Sequence, residues 1–183
     1  MNMGKKILFL FIVLFSIPLL AALFITKDYV VEREIIINKP STEVFNFIKL
    51  LKNQELYSKW ATMDTEMKRT YKGTDGTVGF IAAWDSLKDD VGMGEQEIIG
   101  MEEGSRIDTE LRFIKPFESK DNSYLITKEI DPNTTKVIWG FKGHMNYPMN
   151  LMLVFMDFQS LIGNDFSEGL QNLKVLLEKK SLK

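Results

Sequence analysis

The chain has 183 residues, no cysteine, one histidine, and 23 basic against 25 acidic residues. Without cysteine, disulfides, thiolate chemistry and a lipid-modified cysteine anchor are excluded, and His144 alone makes a zinc site an unpromising expectation. Set apart from Lys5 and Lys6, the rest of the chain carries 21 basic and 25 acidic residues, so no nucleic-acid partner is expected.

Ile7 to Ile25, ILFLFIVLFSIPLLAALFI, is uncharged and almost wholly apolar. As a helix rising 1.5 Å per residue, its 19 residues reach roughly 28 Å, close to the hydrocarbon thickness of a bilayer. Pro18 is compatible with a span, because membrane helices tolerate proline. A cleaved signal peptide is the competing reading. Cleavage wants small residues one and three positions before the cut, and although Ala21 and Ala22 are small, Leu19 and Leu20 occupy the partner positions. We therefore expect an uncleaved anchor over residues 1–26 and one domain over 27–183. Lys5 and Lys6 hold the N-terminus in the cytoplasm by the positive-inside bias, which sends the domain to the outer side. The tether from Thr26 to Val30 reaches at most about 17 Å, so the domain is expected to sit against the membrane.

Val31 to Asn38 is β-branched and stops at Pro40, the pattern of a strand. Ser41 to Leu51 places Val44, Phe45, Ile48 and Leu51 at helical spacing, and a second short helix is expected over Asn53 to Lys59. Met67 to Lys72 reads as a strand, followed by a turn through Gly73, Asp75, Gly76 and Gly79. Val78, Phe80, Ala82 and Trp84 then alternate with the period of a half-buried strand. Met93 to Met101 is the next strand, and in Arg106 to Ile114 the residues Ile107, Thr109, Leu111 and Phe113 share one face. Ser123 to Ile130 and Lys136 to Gly143 form a hairpin through Asp131-Pro132-Asn133-Thr134. From Met149 to about Lys179 the pattern is helical, with Phe155, Gln159, Ile162, Phe166, Leu170, Leu173 and Leu177 on one stripe.

The segments EREIIINKPSTEVFNFI, GTVGFIAAW, VGMGEQEI, LRFIKPF, TKVIWGF and FMDFQSLIGNDFSEGLQNLK, with Trp60 after the short helices, resemble the START-like (SRPBCC) superfamily and within it the polyketide cyclase/dehydrase-like proteins. The resemblance covers nearly all of Glu32 to Lys180 and is carried by turn glycines and core positions, not by a catalytic signature. It implies an α+β helix-grip fold: a bent antiparallel sheet of about seven strands around a long C-terminal helix, with two short helices after the first strand and a cavity between sheet and helix.

Trp60, Phe80, Trp84, Leu111, Phe113, Tyr124, Trp139, Phe141, Phe155, Ile162 and Phe166 are the expected lining of that cavity. Alternatively, the aromatic side chains fill it. Two polar residues join them. Gln159 sits on the apolar stripe, where an unpartnered amide would cost about 1–3 kcal/mol. Lys128 shares strand parity with Tyr124, Ile126 and Ile130, so it either meets an acidic ligand group or reaches solvent along its stem. Glu95 and Glu97 share a strand face as paired carboxylates usually do in solvent, His144 lacks the partners of a triad, and Asn133-Thr134-Thr135 matches a glycosylation sequon within a turn.

Met149 to Phe158, MNLMLVFMDF, is apolar nearly all round and is expected to form a lid over the cavity or to touch the bilayer. The leading expectation is a membrane-anchored domain that binds a hydrophobic small molecule or lipid, with no cofactor and no metal. A cyclase- or hydrolase-like enzyme using the same cavity, and an interaction or co-chaperone-like module with a filled core, are the alternatives.

Overall fold

The computed structural model describes residues 3–179; residues 1–2 and 180–183, which the expected anchor and domain bounds include, lie outside the described residues. Helix α1 (Met3–Ala22) comes first, then β1 (Asp28–Ile37), α2 (Ser41–Ile48), a 3-10 turn (Leu51–Leu56) and α3 (Lys59–Met63). The strands β2 (Lys68–Lys72), β3 (Ile81–Asp85), β4 (Met93–Glu102), β5 (Arg106–Lys115), β6 (Ser119–Asp131) and β7 (Thr134–His144) follow. A second 3-10 turn (Met149–Leu151), α4 (Met152–Phe155) and α5 (Phe158–Lys179) complete the chain. The seven strands form one antiparallel sheet in the order β1-β7-β6-β5-β4-β3-β2, so β1 closes against the last strand rather than its sequence neighbour. This is the α+β helix-grip architecture.

One face of the sheet is apolar because the period-2 alternation holds from strand to strand. Val31, Ile37, Ile107, Leu125, Val137, Trp139 and Phe141 are buried there, against Phe166, Leu170, Leu173 and Leu177 of α5 and Val44, Phe45 and Ile48 of α2. Two glycines let α5 lie this close: a Cβ on Gly163 would meet the guanidinium of Arg33, and one on Gly169 would come within 2.9 Å of the Trp139 ring. The C-terminal half of α5 is fastened to the end of β1, where Lys174 donates to the Ile36 carbonyl (2.7 Å) and Glu178 accepts from the Asn38 amide (2.8 Å).

Several sequence boundaries shift for local reasons. β1 begins three residues early, at Asp28, because Tyr29 and Val30 pair with Gly143 and Lys142, which shortens the connection from α1. The expected helix over Asn53 to Lys59 is instead the 3-10 turn, whose first amides, Leu51 and Lys52, donate to Asp75, followed by α3. β3 starts at Ile81 and not Val78, since Gly79 takes a φ of +88 and the preceding glycines are still turning. The long terminal helix is interrupted: Met156 is extended (φ −113, ψ 131), and Asp157 accepts from the Ser160 amide (3.0 Å) and hydroxyl (2.6 Å), starting α5 afresh.

Candidate functional site: a cavity between sheet and C-terminal helix

The inner face of the sheet and α5 do not close completely. Between them, lined also by residues of the Leu51–Leu56 turn, α3 and β2, lies a cavity of about 390 Å³. At its inner end Trp139 stacks on Phe166 with centroids 4.6 Å apart, and Trp60 stands edge-on to both. At its other end Trp84 meets Phe113 edge-on at 5.9 Å. Gly94 makes room for Trp84, because a Cβ there would come within 2.6 Å of both the indole and the Arg112 carbonyl.

Few polar groups reach the cavity, and most are held by the protein itself. Ser123 donates to the Gly140 carbonyl (2.9 Å), and Arg69 donates to the Ala61 carbonyl (3.0 Å) and lies 3.4 Å from Glu55. Gln96 gives its amide N–H to the Thr109 hydroxyl (3.0 Å), which leaves the Gln96 side-chain oxygen available to a guest. Tyr71 donates to Glu55; burial, reinforced by that hydrogen bond, pushes its hydroxyl up to about 12, so at neutral pH it is a donor and not a base. Asp89 and Asp90 from the β3–β4 connection and Lys115 at the end of β5 form an exposed charged rim. Such a site can bury an apolar body and orient it through one or two hydrogen bonds.

Eight of the expected lining residues meet here: Trp60, Trp84, Leu111, Phe113, Trp139, Phe141, Ile162 and Phe166. Phe80 is buried in the core beside them, stacked on Tyr71 at 6.2 Å. Four lie elsewhere. Tyr124 and Lys128 are on the outer face of β6, because the inner face of that strand carries Asp121, Ser123, Leu125 and Thr127; Tyr124 covers Gly140 and donates to Glu32, while Lys128 is exposed. Phe155 is 82 % exposed, since the break at Met156 rotates α4 off the stripe continued by α5. Gln159 is exposed and bonds the backbone of β1 through its amide N–H to the Val30 carbonyl, which satisfies the group without a guest.

Gln96, Ser123 and the Arg69–Glu55 pair went unselected from sequence. The first two were visible as polar positions sharing parity with Ile98 and with Leu125. The pair was not, because it joins the Leu51–Leu56 turn to β2 through tertiary contact alone.

The acidic residues of β4 do not enter the cavity. Arg112 on the outer face binds Glu95 (2.5 Å), Glu97 (2.8 Å) and Glu110 (2.6 Å), and these hydrogen bonds, Glu110 foremost, hold its guanidinium charged. A bulge between Ile98 and Gly100 reverses the parity of β4, so Met101 packs on the core although Glu95 and Glu97 face outward. His144 is exposed, with Nδ1 2.6 Å from Asp28 and Nε2 3.3 Å from Asn146; chiefly the Asp28 hydrogen bond raises its pKa. No group of three or more metal-ligating side chains occurs among the described residues.

No family model and no curated protein matches the chain. Solved structures do match. Norcoclaurine synthase from Thalictrum flavum, in complex with dopamine and hydroxybenzaldehyde, superposes with a TM-score of 0.60 at 11% identity, over 84% of this chain and 88% of that one. The protein XoxI from Bacillus cereus gives 0.59 at 12% identity, over 84% and 99% of the two chains. Ara h 8.0201 gives 0.52 at 12% identity, over 80% and 97%. The chain has the fold of these proteins. At such identities the likeness carries the helix-grip architecture and leaves the chemistry to the site itself.

Proposed function

We propose that this chain is a membrane-tethered helix-grip domain, residues 27–183 on an anchor of residues 1–26, that binds one hydrophobic small molecule or lipid in its cavity. The carrying observation is the cavity: about 390 Å³, walled by Trp60, Trp84, Leu111, Phe113, Trp139, Phe141, Ile162 and Phe166, with the Gln96 oxygen as its orienting acceptor. That volume falls within the range of small-molecule sites. An open cavity speaks against the interaction module with a filled core. The acid or base that a cyclase- or hydrolase-like reaction requires is not supplied by Tyr71, whose pKa moves away from neutrality.

The tether is supported by two features. Helix α1 has 20 residues and a mean hydropathy of 2.1, and it lies almost entirely exposed. Its end is also built into the fold: the fully buried Asn150 donates to the carbonyls of Ala22 (2.7 Å) and Ile25 (3.0 Å). A segment destined for removal has no need of a buried partner. With Lys5 and Lys6 in the first turn of α1, ahead of its apolar run, the positive-inside bias favours a cytoplasmic N-terminus and an extracytoplasmic domain.

Titration of the full chain in detergent with a fluorescent hydrophobic probe tests the reading. One saturable site is expected, lost in Ala82→Phe and in Leu111→Trp, two independent ways of filling the space. Equal binding by the native chain and both filled variants would overturn it.

A further inference from the structure

Strand register places one set of loops together. Asp28 at the start of β1 lies opposite His144 at the end of β7, whose amide donates to Asp121 near the start of β6; Phe113 pairs with Ser119, Met93 with Lys115, and Asp85 with Met93. The end of α1, the β3–β4 connection, the β5–β6 connection and the segment from β7 to α5 therefore all stand at the same end of the sheet. The charged rim of the cavity is at this end too, contributed by Asp89, Asp90 and Lys115.

The large apolar side chains that protrude furthest beyond residue 25 are also there. Leu87 in the β3–β4 connection is fully exposed, Phe117 at the tip between β5 and β6 is 81 % exposed, and Phe155 of α4 is 82 % exposed. Phe24, just past α1, is as exposed as they are. Scattered apolar residues on a surface are ordinary. Three of the most protruding ones on separate connections, all at the end of the sheet where an apolar helix leaves, are a set. Their loops are held, too: Asp64 accepts from Ser86 (2.5 Å) next to Leu87, and Asn150 ties the segment before α4 to the end of α1.

The geometry points to a membrane-docking face: Leu87, Phe117 and Phe155 enter the same lipid leaflet from which α1 emerges, and the cavity rim faces lipid. The occupant is a bilayer rather than a protein because α1 continues directly into it, and the Asn150 bonds to the Ala22 and Ile25 carbonyls hold the segment leading to Phe155 against the end of α1. The docking rests on α1 being a span, and the meaning of the rim rests on the ligand-binding reading above. A hydrophobic guest would then pass between leaflet and cavity without crossing bulk water.

The absence of native cysteine allows single labels. Leu87→Cys, Phe117→Cys and Phe155→Cys, each in the full chain reconstituted into phosphatidylcholine vesicles, carry a nitroxide, with Asn133→Cys on the opposite end of the sheet as the reference. Collision with oxygen is expected to exceed collision with a water-soluble nickel chelate at positions 87, 117 and 155, and the order to reverse at 133. Labels at 87, 117 and 155 as accessible to the chelate as the label at 133 would overturn the docking. The readout needs no guest, so a docked chain that binds no hydrophobic probe would end the ligand reading and leave the docking intact.

Discussion

The two ends of the sheet are built differently from the same alternating strands. At the end where β1 finishes, the turns between β4 and β5 and between β6 and β7 are short and polar, Asn133 donates its amide to Asp131, Thr135 bonds the Lys39 carbonyl, and Glu178 and Lys174 clamp α5 to β1. At the end where α1 leaves, the connections carry the most exposed apolar tips and contribute the charged rim of an unfilled cavity. The first end concentrates buried side chains and closed hydrogen bonds, which is where stability resides. The second leaves apolar surface unpaired, which a fold in water retains only at some cost to solubility. The proposed membrane beside it would remove that cost.

The largest effect should come from breaking the shared inner wall. Phe166→Ala removes the ring stacked on Trp139 and is expected to destabilise the domain by about 3–5 kcal/mol, read by urea unfolding. A change below 1 kcal/mol would mean that this wall is not part of the core. Gly94→Ala should cost about 1–3 kcal/mol by forcing Trp84 and the Arg112 backbone apart, and should weaken hydrophobic-probe binding in the same protein, because the displaced indole moves into the cavity.

Asp64 sharpens the comparison through pH. The Ser86 hydroxyl, with the Glu66 amide behind it, holds the Asp64 carboxyl below the usual carboxylate range. Its contribution is therefore complete above the ordinary value of about 3.9 and is lost as pH falls through the lower folded value. Asp64→Asn should flatten that acid limb and raise hydrogen exchange at the Lys88 amide, which donates to the same Ser86 hydroxyl (3.0 Å), while leaving the Asn133 turn unchanged. Loss of protection at both ends together would show that the β3–β4 connection is not an independent unit. The smallest effect is expected at the tips. Phe117→Ser and Phe155→Ser should alter unfolding stability in detergent by no more than about 0.5 kcal/mol, since neither side chain has a packed neighbourhood to lose.

Much of the architecture could be read before the structure. The alternation of Ile107, Thr109, Leu111 and Phe113 named the inner face of β5, and the stripe through Ile162, Phe166, Leu170, Leu173 and Leu177 named the buried side of α5. Where periodicity misled, a local event had shifted its phase. The bulge near Ile99 turned Met101 inward, and the Asp157 cap restarted the helix so that Phe155 left the stripe on which it had been counted. Parity also cannot say which face is inside: Tyr124 and Lys128 share a face as expected, but Ser123, Leu125 and Thr127 occupy the inner one. Gln159 shows a different limit, because the carbonyl that satisfies it, that of Val30, is 129 residues away. The collection of Leu87, Phe117 and Phe155 at one end was equally hidden, since only strand register brings three distant connections together.

Native mass spectrometry of the full chain purified in detergent tests the central claim most directly. The native chain should carry one hydrophobic molecule per chain, and the Ala82→Phe chain, folded but with its cavity filled, should carry none. A native chain with no bound molecule, or the same molecule retained equally by both, would contradict a ligand-binding cavity.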